Sequence, residues 1–240
     1  QKTAYEIMPS LVGSEMCIRD SFLLDPVKRV FSQSVQNYGS KPKSVAWSSQ
    51  EKQFKRFRIF GGLFSLIPPN TSFSINDLGC GYGAMFRAYK DLPEFKSGRY
   101  FGYDISSEML LEAKKKLDDP RAFWIQNHEA TEEADFSFVS GTYNLNMDAD
   151  GDLWRSYIEN NLLQLWSKTR LALGFNMLSK HSPKRQKTLY YADPEHFFAF
   201  CAEKMRGRVK MVNRLEPEEF VIFVLREDNS KNGDRNSYNY

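Results

Sequence analysis

The chain has 240 residues, 41% of them hydrophobic and 26% charged, with 33 Lys and Arg against 30 Asp and Glu and a formal net charge of +3. Such proportions suit a globular α/β domain with a sizeable core and exclude a low-complexity chain. The small basic excess is scattered, so it gives no strong nucleic-acid signal, and no apolar run reaches the length of a membrane span.

The first stretch, "QKTAYEIMPSLVGSEMCIRDS", fits no targeting signal. Its apolar patch is short and is broken by Pro9 and Ser10, which rules out a secretory leader. Glu6, Glu15 and Asp20 rule out an acid-poor transit peptide. Back-translated, "QKTAYE" and "LVGSEMCIRDS" resemble the two constant parts of a transposase-type sequencing adaptor, with a short unconstrained stretch between them. Residues 1–20 are therefore read as adaptor-derived and set apart from the fold, and Cys17 with them. Cys80 and Cys201 remain. Two isolated cysteines make neither a disulfide framework nor a metal cluster, and they fit a reducing cytoplasm.

Residues 22–45 contain Pro26, Gly39 and Pro42 and read as a loose lead-in with a short helix. Next, Ser48 or Ser49 caps a helix on which Phe54, Phe57, Phe60 and Phe64 recur at helical spacing, and "PPNTS" ends it. Strands and helices then alternate. "SFSINDLG", "RYFGYDI", "RAFWIQ", "ADFSFVSG" and "LALGFNML" are predicted strands. "AMFRAYKDL", "SSEMLLEAKKKLDD" (capped by Ser106 or Ser107), "DGDLWRSYIENNLLQLWSKTR" and "DPEHFFAFCAEKM" are predicted helices. "GRVKMVNRL" and "EFVIFVL" close the chain as a hairpin, and the tail 227–240 is polar and read as disordered. The alternation predicts a mainly parallel seven-stranded sheet with right-handed crossovers and an antiparallel strand in the C-terminal hairpin.

"INDLGCGYGA" carries the chemistry. A buried strand ends at Asp77, and Gly79, Gly81 and Gly83 follow before a helix begins. Glycines there let the backbone turn sharply and approach a ligand beyond the carboxyl ends of the strands. A purely structural turn is the plain alternative, and "GCGYGA" also satisfies the dinucleotide pattern G-x-G-x-x-A. Asp77 weighs against a dinucleotide, because a carboxylate there repels a pyrophosphate and suits a ligand with an ammonium and a sulfonium. Asp104, ending the next strand, can accept hydrogen bonds from both ribose hydroxyls.

With those residues in hand, the chain resembles the class I S-adenosylmethionine-dependent methyltransferases, which have a Rossmann-like fold. "DLGCGYG" looks like their first motif and "GYDISSEML" like their second. "SVAWSSQEKQFKRF", "FSFVSGTYNLN" and "LYYADPEHFFAFC" look like a bacterial subgroup of small stand-alone members. The resemblance implies S-adenosyl-L-methionine as cofactor, with Gly79, Cys80 and Gly81 along its methionine part and Asp104 on its ribose. It puts Ile105 and Met109 beside the adenine, and Asn127 or His128 near the adenine amino group. It also implies an N-terminal helical lid over 21–70, with Trp47, Gln53 and Arg56 above the cofactor and Arg56 pairing its carboxylate, and a binding domain over 71–226. By position alone, Arg56 reads as a solvated residue beside a Phe-rich helical face.

Class I enzymes place the acceptor after the fourth strand, where this chain has Ser140, expected to bind the cofactor, and then Gly141, Thr142, Tyr143 and Asn144. The Asn/Asp-Pro-Pro-aromatic motif of base-amino methylation is missing, which points to a small-molecule acceptor. Tyr143, Asn144 and the loop residue His181 are the candidates for contact with it, although Tyr143 can equally just cover the sheet end. Tyr190 and Tyr191 are further candidates to reach the substrate cavity, while His196, in a helix, reads as a surface or packing residue. The rival readings are a nicotinamide-dependent oxidoreductase and a methyltransferase-fold protein that binds without catalysis. Removal of residues 1–20 is expected to leave the melting temperature and cofactor affinity unchanged, and a loss of several degrees would show that the segment packs.

Overall fold

The computed structural model describes residues 22–37, 39, 50–212, 215 and 217–227. The adaptor-like segment 1–20, the expected caps Ser48 and Ser49, Trp47, and the tail from 228 lie outside the described residues.

In chain order the elements are α1 (22–37), α2 (Gln50–Gly61), β1 (Ser74–Leu78), α3 (Ala84–Tyr89), β2 (Arg99–Asp104), α4 (Ser107–Lys116), β3 (Ala122–Gln126), β4 (Ala134–Ser140), α5 (Gly151–Ser167), β5 (Thr169–Leu178), α6 (Pro194–Lys204), β6 (Arg208–Val212) and β7 (Glu219–Leu225). The sheet has seven strands in the order β3-β2-β1-β4-β5-β7-β6. Strands β1 to β5 pair in parallel, while β7 runs antiparallel to both β5 and β6. This is the Rossmann-like sheet and terminal hairpin that the alternation predicts. The order reverses between β1 and β4, which opens a crevice at their carboxyl ends.

Both faces of the sheet are covered. Leu165 and Leu162 of α5 and Phe197 of α6 pack with Leu173, Phe175 and Ile222 on one face. Phe57 and Phe60 of α2 and Phe86 of α3 pack with Ile75, Phe138 and Val221 on the other. The rings of Phe60 and Phe138 stack at 5.1 Å. The helix starts are capped as the side chains dictate. Ser106 Oγ accepts the Met109 N–H at 3.2 Å, and Asp193 accepts from Glu195 and His196 with Pro194 in the first turn. Each such cap contributes about 1 kcal/mol.

Two expectations need correction here. The helix of the lead-in is longer than expected: α1 occupies 22–37 without a break, and residues 38 and 40–45 lie outside the described residues. Leu24, Val27, Phe31 and Val35 form its inward stripe, and Gly39, at φ 61°, donates its N–H to the Val35 carbonyl as a left-handed cap. Leu24 and Val27 join the α5 side of the core, while Val35 joins the α2 side.

The second correction concerns Arg56, which is neither solvated nor among the residues that line the crevice. It is 3% exposed, and its Nε and Nη2 both donate to Glu219 at the start of β7. Asn176 Nδ2 adds a hydrogen bond to the same carboxylate at 3.0 Å. The guanidinium therefore fastens α2 to the start of β7. Removing one partner of a buried pair strands the other charge. Arg56→Ala is expected to lower unfolding free energy by about 3–5 kcal/mol in urea, and Arg56→Ala/Glu219→Gln to recover part of it. A loss under about 1 kcal/mol would mean that the pair is solvated.

Candidate functional site

A cleft of about 910 Å³, counting its open mouth, lies at the carboxyl ends of β1, β2 and β4. Its floor is the turn after β1. Gly79 and Gly81 take φ values of 74° and 55°, and the N–H groups of Gly79 and Cys80 both donate to the Tyr103 carbonyl. A Cβ on Gly79 would lie 2.1 Å from Thr142 Oγ1, which itself donates to the Leu78 carbonyl at 2.8 Å. Glycine is thus required twice over at Gly79, by the left-handed backbone and by the side chain packed against it.

Two carboxylates reach this floor. Asp104 is 8% exposed; Gly81 N–H donates to its Oδ2 and Ser106 N–H to its Oδ1, each at 2.9 Å. Burial pushes its pKa up to about 6, against the pull of those backbone donors. Asp77 is 2% exposed and accepts a hydrogen bond from the Tyr100 hydroxyl. Burial raises it to about 7; the Tyr100 hydroxyl works against this and the nearby Asp104 adds to it. The cleft thus concentrates acid groups in a dry place, an arrangement that favours a cationic ligand and opposes a pyrophosphate.

The walls come from several elements. Ile105 and Met109 line one side with Asn127 and His128, and Ser140 and Tyr143 line another. Gln53 and Phe57 reach in from α2. The Ser140 hydroxyl is buried and has no hydrogen-bond partner among the described residues, so it is available to a ligand. Leu24, Val27 and Phe31 of α1, with Trp154 and Tyr157 of α5, complete an apolar wall that sequence reasoning did not assign. The spacing of Leu24, Val27 and Phe31 was the available signal, hidden by reading Pro26 as a loop residue.

Several expected site residues do other work. Gly83 does not line the cleft: at φ 76° it starts α3, and a Cβ there would meet Trp124 and Leu117. Asn144 is a strut: its Oδ1 accepts the Leu178 N–H at 3.0 Å and its carbonyl accepts the Tyr190 N–H at 2.8 Å. His181 stands on the surface with a side chain 57% exposed, and its Nε2 lies 3.8 Å from Glu195. Tyr143 lines the cleft, but its hydroxyl donates to Asn161 Oδ1 at 2.7 Å and burial holds its pKa well above the ordinary value. It is a wall rather than a proton acceptor. Tyr190 and Tyr191 border a separate surface hollow with Arg155 and Lys180. His196, read as a surface or packing residue, pairs with Glu159 at 2.6 Å. Among the described residues no group of three His, Cys, Asp or Glu could hold a metal ion, and no helix is long and apolar enough to cross a membrane.

Residues 76–144, which hold both carboxylates and the glycine turn, match the family model described as a methyltransferase domain. The Mycobacterium tuberculosis (strain ATCC 25618 / H37Rv) protein named "Putative methyltransferase Rv1506c" is 36% identical over 155 residues, covering 63% of this chain and 92% of that protein. Among solved structures, the CurJ carbon methyltransferase superposes with a TM-score of 0.60 at 11% identity, over 95% of this chain and 72% of that one. The magnesium protoporphyrin IX methyltransferase of Synechocystis PCC 6803, solved with bound S-adenosylmethionine, gives 0.53 at 14% identity, over 88% and 96%. At those identities the structures establish likeness of fold.

Both buried carboxyls hold their protons more tightly in the folded chain than in the unfolded one, where each titrates near 3.8. Their contribution to stability is therefore full below that value and is lost as pH rises through about 6 for Asp104 and about 7 for Asp77. In ligand-free urea titrations, Asp77→Asn is expected to gain on the parent protein steadily between about pH 4 and about pH 7 and to level off above. A difference that stays constant with pH would mean that Asp77 titrates like an exposed carboxyl.

Proposed function

The chain belongs to the class I S-adenosylmethionine-dependent methyltransferases, and from that premise we propose that the acceptor of its methyl group is a small molecule bound in the cleft beside the cofactor. The observation that carries the reading is the pair of buried carboxylates, Asp77 and Asp104, on one glycine-floored cleft. A cleft with apolar walls and a few convergent polar groups is of the kind that binds small ligands. Among the described residues, the basic side chains of Arg121, Arg170 and Lys180 each pair with an Asp rather than standing free for a polyanion.

When bound, S-adenosylmethionine supplies a methyl group on a positively charged sulfur, which departs as a neutral thioether once an acceptor lone pair attacks the methyl carbon in line. The residues around it have separable tasks. Asp77 receives the cationic methionine end. Asp104, already oriented by two backbone N–H groups, keeps lone pairs for the ribose hydroxyls. Ile105 and Met109 hold the adenine between apolar surfaces, with Asn127 or His128 at its edge. Ser140 offers its unpartnered hydroxyl. Tyr143, Trp154 and Tyr157 exclude water and turn aromatic surface toward positive charge. With Asn144 bonded to β5 and His181 out on the surface, the rate rests on alignment of acceptor, methyl and sulfur.

Asp104→Ala is expected to weaken S-adenosylmethionine binding by about 10–100-fold in calorimetry, through lost hydrogen bonds to a charged acceptor. The parent protein is expected to show no heat of binding with nicotinamide dinucleotides. Unchanged affinity in the variant would remove Asp104 from the site.

A further inference from the structure

The reading above leaves Tyr100 without a task. Its side chain is fully buried, on the same sheet face as Asp77. A phenylalanine would fill the same space, so the hydroxyl needs its own explanation. That hydroxyl donates to Asp77 Oδ2. We propose that Tyr100 is a positioning residue for cofactor capture: its hydroxyl donates to the Asp77 carboxylate and keeps it aimed into the cleft, ready for the cationic end of S-adenosylmethionine. The proposal rests on the family reading and on Asp77 being the group that meets that end.

The surroundings make the contact a fixed one. On β1 and β2, Ile75 lies opposite Tyr100 and Asp77 opposite Gly102. Tyr100 therefore reaches along the sheet by one pleat, past a residue with no side chain. A Cβ on Gly102 would sit 2.9 Å from both Cys80 Sγ and Trp124 Cε3, so the slot is already filled. Phe86 at 5.1 Å and Trp124 at 5.6 Å clamp the Tyr100 ring. A clamped donor holds its acceptor without reorganising when the ligand arrives.

The titratable groups that bear on Asp77 are Asp104 and Tyr100 from β2, Cys80 from the turn and Tyr89 from α3. Asp104 disfavours a second negative charge beside it, burial keeps the Cys80 thiol protonated, and the Tyr89 hydroxyl is committed to the Phe57 carbonyl. Of these groups, Tyr100 is the one that favours the ionised carboxylate. Burial and Asp77 hold Tyr100 well above the ordinary tyrosine range, so its proton stays in place for donation.

The test compares Tyr100→Phe with the parent protein by calorimetry, using S-adenosylmethionine from about pH 6 to about pH 9. Variant and parent are compared at each pH, so titration of the ligand's own amine, near 7.7–8.0 for an α-amino group, cancels. A lost hydrogen bond to a charged group moves the titration up by about one unit or more. The expected result is an affinity about tenfold weaker at pH 7 that returns to within about twofold of the parent at pH 9. 5′-Methylthioadenosine, the same nucleoside without the amino acid, is expected to bind both proteins equally. A deficit that stays constant with pH, or an equal loss for methylthioadenosine, overturns the proposal. If Tyr100→Phe fails to fold, Asp77→Asn decides: binding as tight as the parent's at pH 7 removes the carboxylate that Tyr100 is said to hold. A parent protein that binds no S-adenosylmethionine at any pH defeats the family reading itself, and this proposal with it.

Discussion

Negative charge held out of water is the constraint around which this molecule is organised. Asp77 and Asp104 end adjacent strands, and both are buried. Their hydrogen-bond partners are backbone N–H groups and one tyrosine hydroxyl. Burial of a carboxylate is costly unless donors are fixed in place beforehand. The glycine turn supplies one such donor from Gly81, and the start of α4 supplies another from Ser106. The turn in turn hangs from the Tyr103 carbonyl, and Thr142 packs against Gly79. Four segments of chain therefore converge on two oxygen pairs.

The part of this arrangement that comes from local rules was legible in the sequence. Strand length, the glycine turn, and the caps at Ser106 and Asp193 are set by neighbours in the chain, and each stands where pattern and chemistry put it. Asp77 and Asp104 were legible for the same reason, since a residue that ends a parallel strand faces the crevice. Partners distant in sequence were not legible. Nothing near Arg56 announces Glu219, which lies 163 residues away. The loop after β4 failed in an instructive way: Asn144 looks like a substrate contact because it is polar and well placed, yet the backbone of β5 claims its amide oxygen. His181 was a guess from loop topology, and a loop can carry its side chain out to solvent as easily as in.

The Arg56–Glu219 pair and the carboxylate pair solve opposite problems. In the first, a buried acid is matched by a guanidinium and an amide, and the result fastens a helix to the start of β7. In the second, the acids keep only neutral donors. Stability is served where charges are matched, and affinity is reserved where they are not. Helix α2 touches both, with Gln53 and Phe57 lining the cleft and Arg56 bonded to Glu219.

Helix α1 sits against surfaces that the rest of the chain must first build. Its Ser32 hydroxyl bonds Ser106 and Glu108, which follow 74 and 76 residues later. Its apolar stripe rests on both halves of the core, including Trp154 and Tyr157 near the start of α5. During synthesis, this helix leaves the ribosome before any of those partners exists. An isolated helix of this length is marginal in water. It therefore docks late, after the sheet through β4 and the start of α5 have been made. The earliest helix of the described chain becomes the last wall of the cleft, so a nascent chain stopped short of α5 carries the motif residues but no closed site.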